Sequence, residues 1–478
     1  MKFRRLNISK ITGIFIFTAV FALALFFSTQ SKTNVRADET TATYTVNLPA
    51  VLNYFNIEQT AFGIQMYTNT GADSKYYDAA IASKAAWIRA PIYWNNVEPV
   101  DVSPSAYDFS SADKVVAIAQ PNVGSPNMLV TIEKSPDWAA SAPGAPIYSS
   151  ALPDFAEFVS TMVERYDGDG VNDAPGSLVV NYWEFFNEPD SGWDHHIRGW
   201  GDDGDQYALM LATVYPVVKA ANPNAKVVFG GIAYDWFEDQ NGPFVREFLD
   251  DVLSNNGGNY FDVMNFHTYP IFNYNWVQAG QPGPGLREKT TAVRNKLAAY
   301  GFTDKPIIIS ESGWHSNNPV EKPSSPENQS RYVVELFTQS LASDVDVMIW
   351  WMLYDPGTFY WDNGLVTINA TPKQSFTTFQ TTIAKLGHAS YIRTLTNGET
   401  GTADMEAYEF ENDLSGQTLY VAWLDPVDTT AVKNLQLPAT QATVYDIYGN
   451  VKTVIYDGVD GRVTVSVGGQ PIYVEITQ

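Results

Sequence analysis

The sequence predicts an α/β protein: a (β/α)8 barrel followed by a small antiparallel β-sandwich. Three observations lead there. Across residues 62–354, eight short β-rich runs alternate with longer amphipathic segments, the grammar of a parallel sheet covered by helices. Two of the runs, 306–309 and 347–350, are apolar without alternation, as a strand buried on both faces requires. Beyond about Gly387 the pattern changes to short alternating strands separated by turn signals. A chain of 478 residues is also too long for one average core, so one large or two modest domains are expected.

The barrel strands are predicted at 62–67, 87–94, 127–132, 179–187, 226–231, 261–269, 305–311 and 347–354. Helical spacing of apolar residues appears between them, at 205–221, 243–254, 287–300, 327–343 and 374–386, and Pro216 is expected to bend the first of these. An open doubly wound sheet is the competing architecture, but it usually carries a glycine-rich loop after its first strand, and 62–70 has none. Sandwich strands are predicted at 405–411, 419–424, 442–448, 451–456, 462–467 and 472–476, with Gly449-Asn450 and Gly468-Gly469 as hairpin signals. The expected division is a leader at 1–37, a linker with a short apolar stretch at 38–59, the barrel at 60–388 and the sandwich at 389–478. No Ser- or Pro-rich linker precedes the sandwich, so it is expected to pack on the barrel.

The first residues read as an export signal: Lys2, Arg4, Arg5 and Lys10 precede an apolar run over 11–27, and Val35-Arg36-Ala37 has the small-residue pattern of a cleavage site. A secreted or cell-surface protein cleaved near Ala37 is expected, with an uncleaved membrane anchor as the alternative. The formal net charge is −24, and the basic leader makes the rest more acidic still, which disfavours nucleic acid and anionic membranes as partners. With 45% hydrophobic and 17% charged residues the composition is that of a folded protein. The chain has no cysteine, so disulfides and thiol chemistry are excluded. Aromatic residues reach 14%, which suits either a large core or a cleft for sugars, whose apolar faces stack on rings.

Chemistry concentrates at two strand ends. The fourth strand ends Trp183-Glu184-Phe185-Phe186-Asn187-Glu188-Pro189-Asp190, and the seventh ends Ile309-Ser310-Glu311-Ser312-Gly313-Trp314. In a barrel, groups that follow a strand directly sit at the C-terminal mouth, and strands four and seven face one another across it. Two carboxyl groups placed so can cleave a glycosidic bond, one protonating the leaving oxygen and the other attacking or activating water. Taken alone, Glu188 could be a cap neighbour and Glu311 a solvated strand-end carboxylate. Glu133, near the end of strand three, is a reserve carboxylate that Lys134 could pair as a surface group.

With these residues in view, the chain resembles the clan A glycoside hydrolases, which include many cellulases, mannanases and β-xylosidases. Asn187-Glu188-Pro189 resembles the clan's acid/base motif and Ser310-Glu311-Ser312-Gly313-Trp314 its nucleophile motif. Residues 88–94, with Arg89, resemble the strand-two signature whose arginine lies beside the nucleophile. His267-Thr268-Tyr269-Pro270 resembles the strand-six segment whose tyrosine bonds the nucleophile, and Trp350-Trp351 the strand-eight tryptophan under the reacting sugar, with Trp351 preferred. The resemblance implies a retaining β-glycosidase in which Glu311 is the nucleophile, Glu188 the acid/base, and Arg89, Asn187, His267, Tyr269 and one of the two tryptophans contact substrate or hold the carboxylates. It also implies a polysaccharide or oligosaccharide substrate and no cofactor for catalysis. Two departures bear on the sugar: Phe185 and Phe186 stand where many relatives have tryptophan, and 128–138 lacks the histidine some families carry.

Trp138, Trp193, Trp200, Phe272, Tyr274, Trp276 and Trp314 fall on mouth loops and are candidates for sugar subsites beside plain packing roles. Separately, Asp167, Asp169 and Asp173 with intervening glycines resemble a calcium loop without the full EF-hand pattern; a structural calcium and an ordinary acidic turn are equal readings. A non-catalytic carbohydrate-binding protein and a metal-dependent hydrolase are the competing functions. The chain has 5 His, and His195 and His196, the pair close in sequence, lack the spacing of a zinc helix.

Overall fold

In a computed structural model the chain is described at residues 60–67, 74–119, 126–192, 199–276, 285–355, 357, 361–426, 428–456 and 460–477. The leader, the linker with its apolar stretch, Trp193, His195 and His196 lie outside these residues. Among the described residues no helix is long and apolar enough to cross a membrane.

Eight parallel strands form one sheet: β1 (Phe62–Gln65), β2 (Trp87–Tyr93), β3 (Asn127–Glu133), β4 (Tyr182–Phe185), β5 (Lys226–Val228), β6 (Met264–Thr268), β7 (Ile307–Ser312) and β8 (Val347–Trp350). β1 pairs with both β2 and β8. Bridges from Val228 to Val263 and from Ile232 to Phe266 join β5 and its continuation to β6, which closes the barrel. A helix of seven residues or more follows each strand, with a further short turn of helix over Trp94–Val97 after β2: α1 (Ser74–Ser83), α2 (Ser110–Ala119), α3 (Leu152–Arg165), α4 (Gly204–Ala221), α5 (Phe248–Ser254), α6 (Leu286–Ala299), α7 (Pro326–Ala342) and α8 (Gln374–Leu386). Pro216 lies inside α4, which continues to Ala221. In α3, Phe155, Phe158, Val159, Met162 and Val163 recur at helical spacing and are buried, while Pro153 opens the helix where its missing N–H costs nothing.

The inside of the barrel is layered by strand alternation. Trp87, Leu129, Val228, Val263, Ile308, Val347 and Ile349 form an apolar plug of their own, separate from the core under the helices. Two residues further along the same strands stand Arg89, Thr131, Asn265 and Ser310, with Glu184 two beyond Tyr182, all buried. Successive side chains of a strand point to opposite faces, so this polar set is the next inward layer toward the mouth.

The second architecture starts at β9 (Ala389–Thr394), which was not among the strands expected from sequence. β10 (Met405–Asn412), β11 (Thr418–Leu424), β13 (Gln441–Tyr445), β14 (Val451–Tyr456) and β16 (Ile472–Thr477) join it in a six-stranded antiparallel sheet, order β14-β13-β16-β11-β10-β9. β12 (Lys433–Pro438), also unexpected, pairs with β15 (Arg462–Val467) in a second sheet. Alternate residues such as Leu435, Leu437, Val463, Val465, Ala422 and Val474 fill the space between the sheets. The opposite face of the larger sheet, with Tyr408, Phe410, Trp423 and Tyr473, belongs to the barrel's outer core. Tyr473 meets Thr382 of α8 at 2.9 Å, and Lys385 of α8 pairs with Glu475 at 2.7 Å. Being covered on both sides, β11 has six consecutive buried residues, whereas β15 alternates buried and exposed.

Candidate active site

The polar layer is organised around Arg89, which is 2% exposed. Its Nε and Nη2 donate to both oxygens of Glu184 at 2.7 and 2.9 Å. Nη1 donates to Glu311 Oε1 at 2.6 Å and to Gln65 at 3.0 Å, and Nη2 also reaches Asn187 Oδ1 at 2.7 Å. Burial works against the guanidinium charge, but Glu184 and Glu311 outweigh it and hold the group well above its ordinary pKa. Glu184 itself is fully buried and further satisfied by Thr131 at 2.8 Å, Asn265 at 2.9 Å and the Gly231 amide at 3.0 Å. A buried carboxylate needs this number of donors.

Glu311 sits at a break in the ladder. Its strand shifts register against β6 between Phe266 and His267 and against β8 between Ile309 and Ser312. The extra residue, Ser310, breaks the alternation, as bulges beside active sites do. The serine hydroxyl reaches His267 Nε2 at 3.1 Å, while the next side chain, Glu311, meets Arg89. Tyr269 donates to the second oxygen, Glu311 Oε2, at 2.7 Å. Burial first, and the charge of Glu311 second, push the Tyr269 phenol well above its ordinary pKa, so it remains a donor.

Glu188 is held differently. Phe186 and Glu188 both have positive φ, 64° and 46°, in the left-handed region that side chains rarely adopt. The Glu188 amide donates to the Gly231 carbonyl at 3.0 Å. Gly231 must lack a side chain, since a Cβ there would come within 2.3 Å of His267 Nε2. His267 Nδ1 lies 3.0 Å from Glu188 Oε1. Burial lowers the imidazole pKa to about 4 against the pull of Glu311, so His267 is neutral near pH 7 and brings no charge to Glu188. Burial pushes the Glu188 carboxyl up to about 7, with Arg89 and Lys289 opposing the rise. The charge of Glu311 is not among the causes of this rise. Lys289 is fully buried on α6 and tied to Asp235 at 2.7 Å and the Ala233 carbonyl at 2.5 Å.

One oxygen of Glu188, one of Glu311 and a ring nitrogen of His267 all lie within 4.8 Å of one another. Arg89, Asn187, His267, Tyr269, Glu188 and Glu311 therefore form one cluster. Trp351 belongs beside it: its Nε1 donates to Tyr67 at 3.1 Å and its ring stands edge-on to Tyr269, centroids 6.2 Å apart. Trp350 does not; it is fully buried toward the helices, its indole N–H on the Asn363 carbonyl at 3.0 Å. Inward parity decides this, because Trp351, not Trp350, is two residues beyond the plug residue Ile349. Glu133 shares the inward parity of Leu129 and Thr131, and burial raises its carboxyl to about 7, with Arg89 as the main opposing charge. Lys134 instead lies over the Tyr93 ring, 3.6 Å from its centroid.

Sequence reasoning assigned no role to Glu184, Gln65, Tyr67, Thr131 or Asn265. The signal was present for Glu184: a carboxylate amid the apolar Trp183, Phe185 and Phe186 calls for a buried cation, and Arg89 is the one cation among the residues of β2. Of the mouth-loop rings, Trp200 is core, packed edge-on to Phe186 and Tyr207. Trp276 stacks on Tyr234 and bonds Asp235, and Trp314 bonds Ser324, so these too are packed. Trp138 is half-buried edge-on to Trp94, whereas Tyr274 is 54% exposed. Asp167, Asp169 and Asp173 do converge, one oxygen of each within 4.8 Å of the others. Their loop accounts for part of this, since Asp167, Asp169 and Asp173 each accept a backbone N–H at 2.8–3.1 Å. Asp173 Oδ1 is buried without a protein partner.

A closed barrel with this pair of carboxyl groups at the ends of strands four and seven, the second of them paired with a buried arginine, defines a clan A glycoside hydrolase. The family model for cellulase (glycosyl hydrolase family 5) matches residues 48–357, and the chain belongs to that family. No curated protein matches it by sequence. Its fold is similar to a family 39 glycoside hydrolase from Bacteroides cellulosilyticus, at 18% identity and TM-score 0.65 over 88% of this chain and 82% of that one. It is similar also to a monomeric β-xylosidase from Caulobacter crescentus (14%, TM-score 0.59, 88% and 96%) and an α-L-arabinofuranosidase from Thermotoga maritima (12%, TM-score 0.57, 88% and 97%). The protein is a glycosidase.

Proposed function

We propose that this glycosidase cleaves β-glycosidic bonds of a plant-type or microbial polysaccharide or oligosaccharide with retention, after export and loss of the leader near Ala37. One Glu311 oxygen attacks the anomeric carbon as the bond to the leaving oxygen breaks, and Glu188 gives that oxygen its proton. Water then attacks the same carbon, Glu188 takes the proton, and the Glu311 carboxylate is released. The observation that carries this reading is the proximity of the two carboxyl groups within 4.8 Å in opposite surroundings. Retention uses a separation of about 5–5.5 Å, whereas inversion needs about 6.5–9.5 Å to admit water. Arg89 and Tyr269 hold the two oxygens of the nucleophile, and desolvation favours the protonated acid. Arg89 fixes the Asn187 carbonyl oxygen, leaving the amide hydrogens to meet a sugar hydroxyl.

Proton NMR of the first product tests the reading: the β anomer should appear first, and an initial α anomer would reject the two-step mechanism. Turnover that resists chelator would separate it from metal-dependent hydrolysis, and absence of turnover on xylan, mannan and β-glucans would favour a binding protein. A structural calcium at Asp167, Asp169 and Asp173 is a second, separate proposal; the buried, unpartnered Asp173 Oδ1 is the feature that suits an ion there.

A further inference from the structure

The ladder between β4 and β5 stops at Glu184 and Val228, and beyond it the two segments meet at an isolated bridge from Asn187 to Gly231. The backbone there is strained: Phe186, Glu188 and Tyr234 take φ of 64°, 46° and 48°. Such strain persists where surrounding groups over-determine it, and here side chains take over from the ladder. Tyr207 of α4 donates to the Phe185 carbonyl at 2.7 Å and accepts from the Gly230 amide at 2.9 Å. Asp190, fully buried, accepts the Ala233 amide on one oxygen at 3.0 Å and the Tyr234 amide on the other at 2.8 Å. Lys289, fully buried on α6, donates to the Ala233 carbonyl at 2.5 Å and to Asp235 at 2.7 Å.

Ala233 is thus gripped at its N–H by one buried charged side chain and at its C=O by another. The same segment carries the acid/base apparatus. The Gly231 carbonyl accepts from the Glu188 amide at 3.0 Å, and the Ile232 carbonyl accepts from the His267 amide at 2.7 Å. Asp190 stands two residues after Glu188, so both ends of that turn are pinned to one stretch of chain, and the Ser191 amide closes it on the Glu188 carbonyl at 3.0 Å. Neutral side chains would tie two segments together without the cost of burying an ammonium and a carboxylate. The charge of Lys289 has an effect that a neutral tie would lack: it opposes the rise of the Glu188 carboxyl. Arg89 of β2, His267 of β6 with Tyr269 just after it, Glu311 of β7 and Asp190 on its own loop also face Glu188.

Resting on the reading of Glu188 as the acid/base, we propose that Asp190 and Lys289 are positioning residues for it, acting through the N–H and C=O of Ala233. Asp190 fixes where the Glu188 carboxyl stands, and Lys289 fixes the segment behind it and sets the pH at which the carboxyl gives up its proton. A reacting group displaced by about 1 Å costs on the order of 10²-fold in rate, so the hold on Ala233 matters to the proton transfer.

The test compares leaving groups. Phenyl β-glycosides of glucose, xylose, mannose and their β-1,4 disaccharides need a proton on the departing oxygen; the 2,4-dinitrophenyl glycosides do not. On the sugar that wild type hydrolyses, Asp190→Asn should lower kcat/KM by about 10- to 100-fold with phenol leaving and by no more than about threefold with dinitrophenol. Equal loss in both series, or loss in neither, overturns the role of Asp190. Lys289→Met with Asp235→Asn removes the buried ion pair together. Lys289 favours the Glu188 carboxylate, so without it the acid stays protonated longer and the alkaline limb of kcat/KM should move to higher pH. A limb that stays or moves down overturns the role of Lys289, and this variant decides the proposal if Asp190→Asn does not fold. Glu188→Ala is the control. If it loses equally in both series, or wild type hydrolyses neither, the acid/base reading itself fails; if it discriminates and Asp190→Asn does not, only the positioning proposal fails.

Discussion

At the end of β7 the Glu311 carboxylate receives a guanidinium and a phenol; at the end of β4 the Glu188 carboxyl meets a neutral imidazole and is 26% exposed. Under the proposed mechanism the same side chain is thereby given two chemistries. Donors fixed on both oxygens suit a group that must be an anion when it attacks, and desolvation without a paired cation suits a group that must carry a proton. The carboxyl group is constant, and its neighbours decide the role.

Exchanging or removing these surroundings gives the sharpest tests, beginning with the largest. Glu311→Ala should lower turnover by roughly 10⁵-fold or more, as loss of a nucleophile does. Added azide should restore some turnover and yield the α-glycosyl azide, identified by NMR; undiminished turnover without azide would reject the assignment. Glu188→Ala should lower kcat/KM by roughly 10²–10⁴-fold on natural glycosides, and less on substrates whose leaving group needs no proton. A uniform loss across leaving groups would break the contrast between the two ends.

The pH profile probes the same contrast. Glu188 must be protonated to act, and its carboxyl is raised to about 7, so kcat/KM should fall as pH rises through about 7. Glu133 is raised into the same range, so Glu133→Gln should leave this limb in place if Glu188 governs it. A limb that vanishes in Glu133→Gln would transfer it to that residue. Arg89→Met tests the shared support: with Glu184 and Glu311 left buried and unpaired, stability should drop by about 3–5 kcal/mol in chemical denaturation. A loss below about 1 kcal/mol would mean that the layer is better hydrated than its burial indicates. The smallest effect concerns the Asp167 loop, on the side of β4 away from the mouth. If it holds calcium, a hundredfold excess of ion over its dissociation constant should raise stability by about 2.7 kcal/mol in wild type and not in Asp169→Ala, with activity at low temperature unchanged. Equal melting with and without chelator would leave it an acidic turn.

The barrel strands were legible because their apolar runs are long enough to be buried on both faces, and the helices because one stripe of each faces those strands. β9 and β12 were not. The exposed Ile392 and Arg393 of β9 and the polar face of β12 dilute their patterns, and β12 is fixed by β15, with two other strands between them in the chain. Glu188 and Glu311 could be found because each follows an apolar strand directly.

By itself the sequence determined the eightfold alternation, the presence of a second β architecture, the lack of disulfides and the two strand-end glutamates. All of these are set by residue type and local spacing. Only the tertiary structure decided that Glu184 anchors Arg89, that a bulge at Ser310 aligns Glu311 with Arg89, that Trp351 faces the cleft while Trp350 is buried, and that Asp190 and Lys289 both hold Ala233. Each of these depends on which side of a strand or loop a side chain takes. That choice is made by pairing and packing with residues distant in sequence, such as Arg89 for Glu311 and Tyr67 for Trp351, 222 and 284 positions away, and no local pattern encodes it.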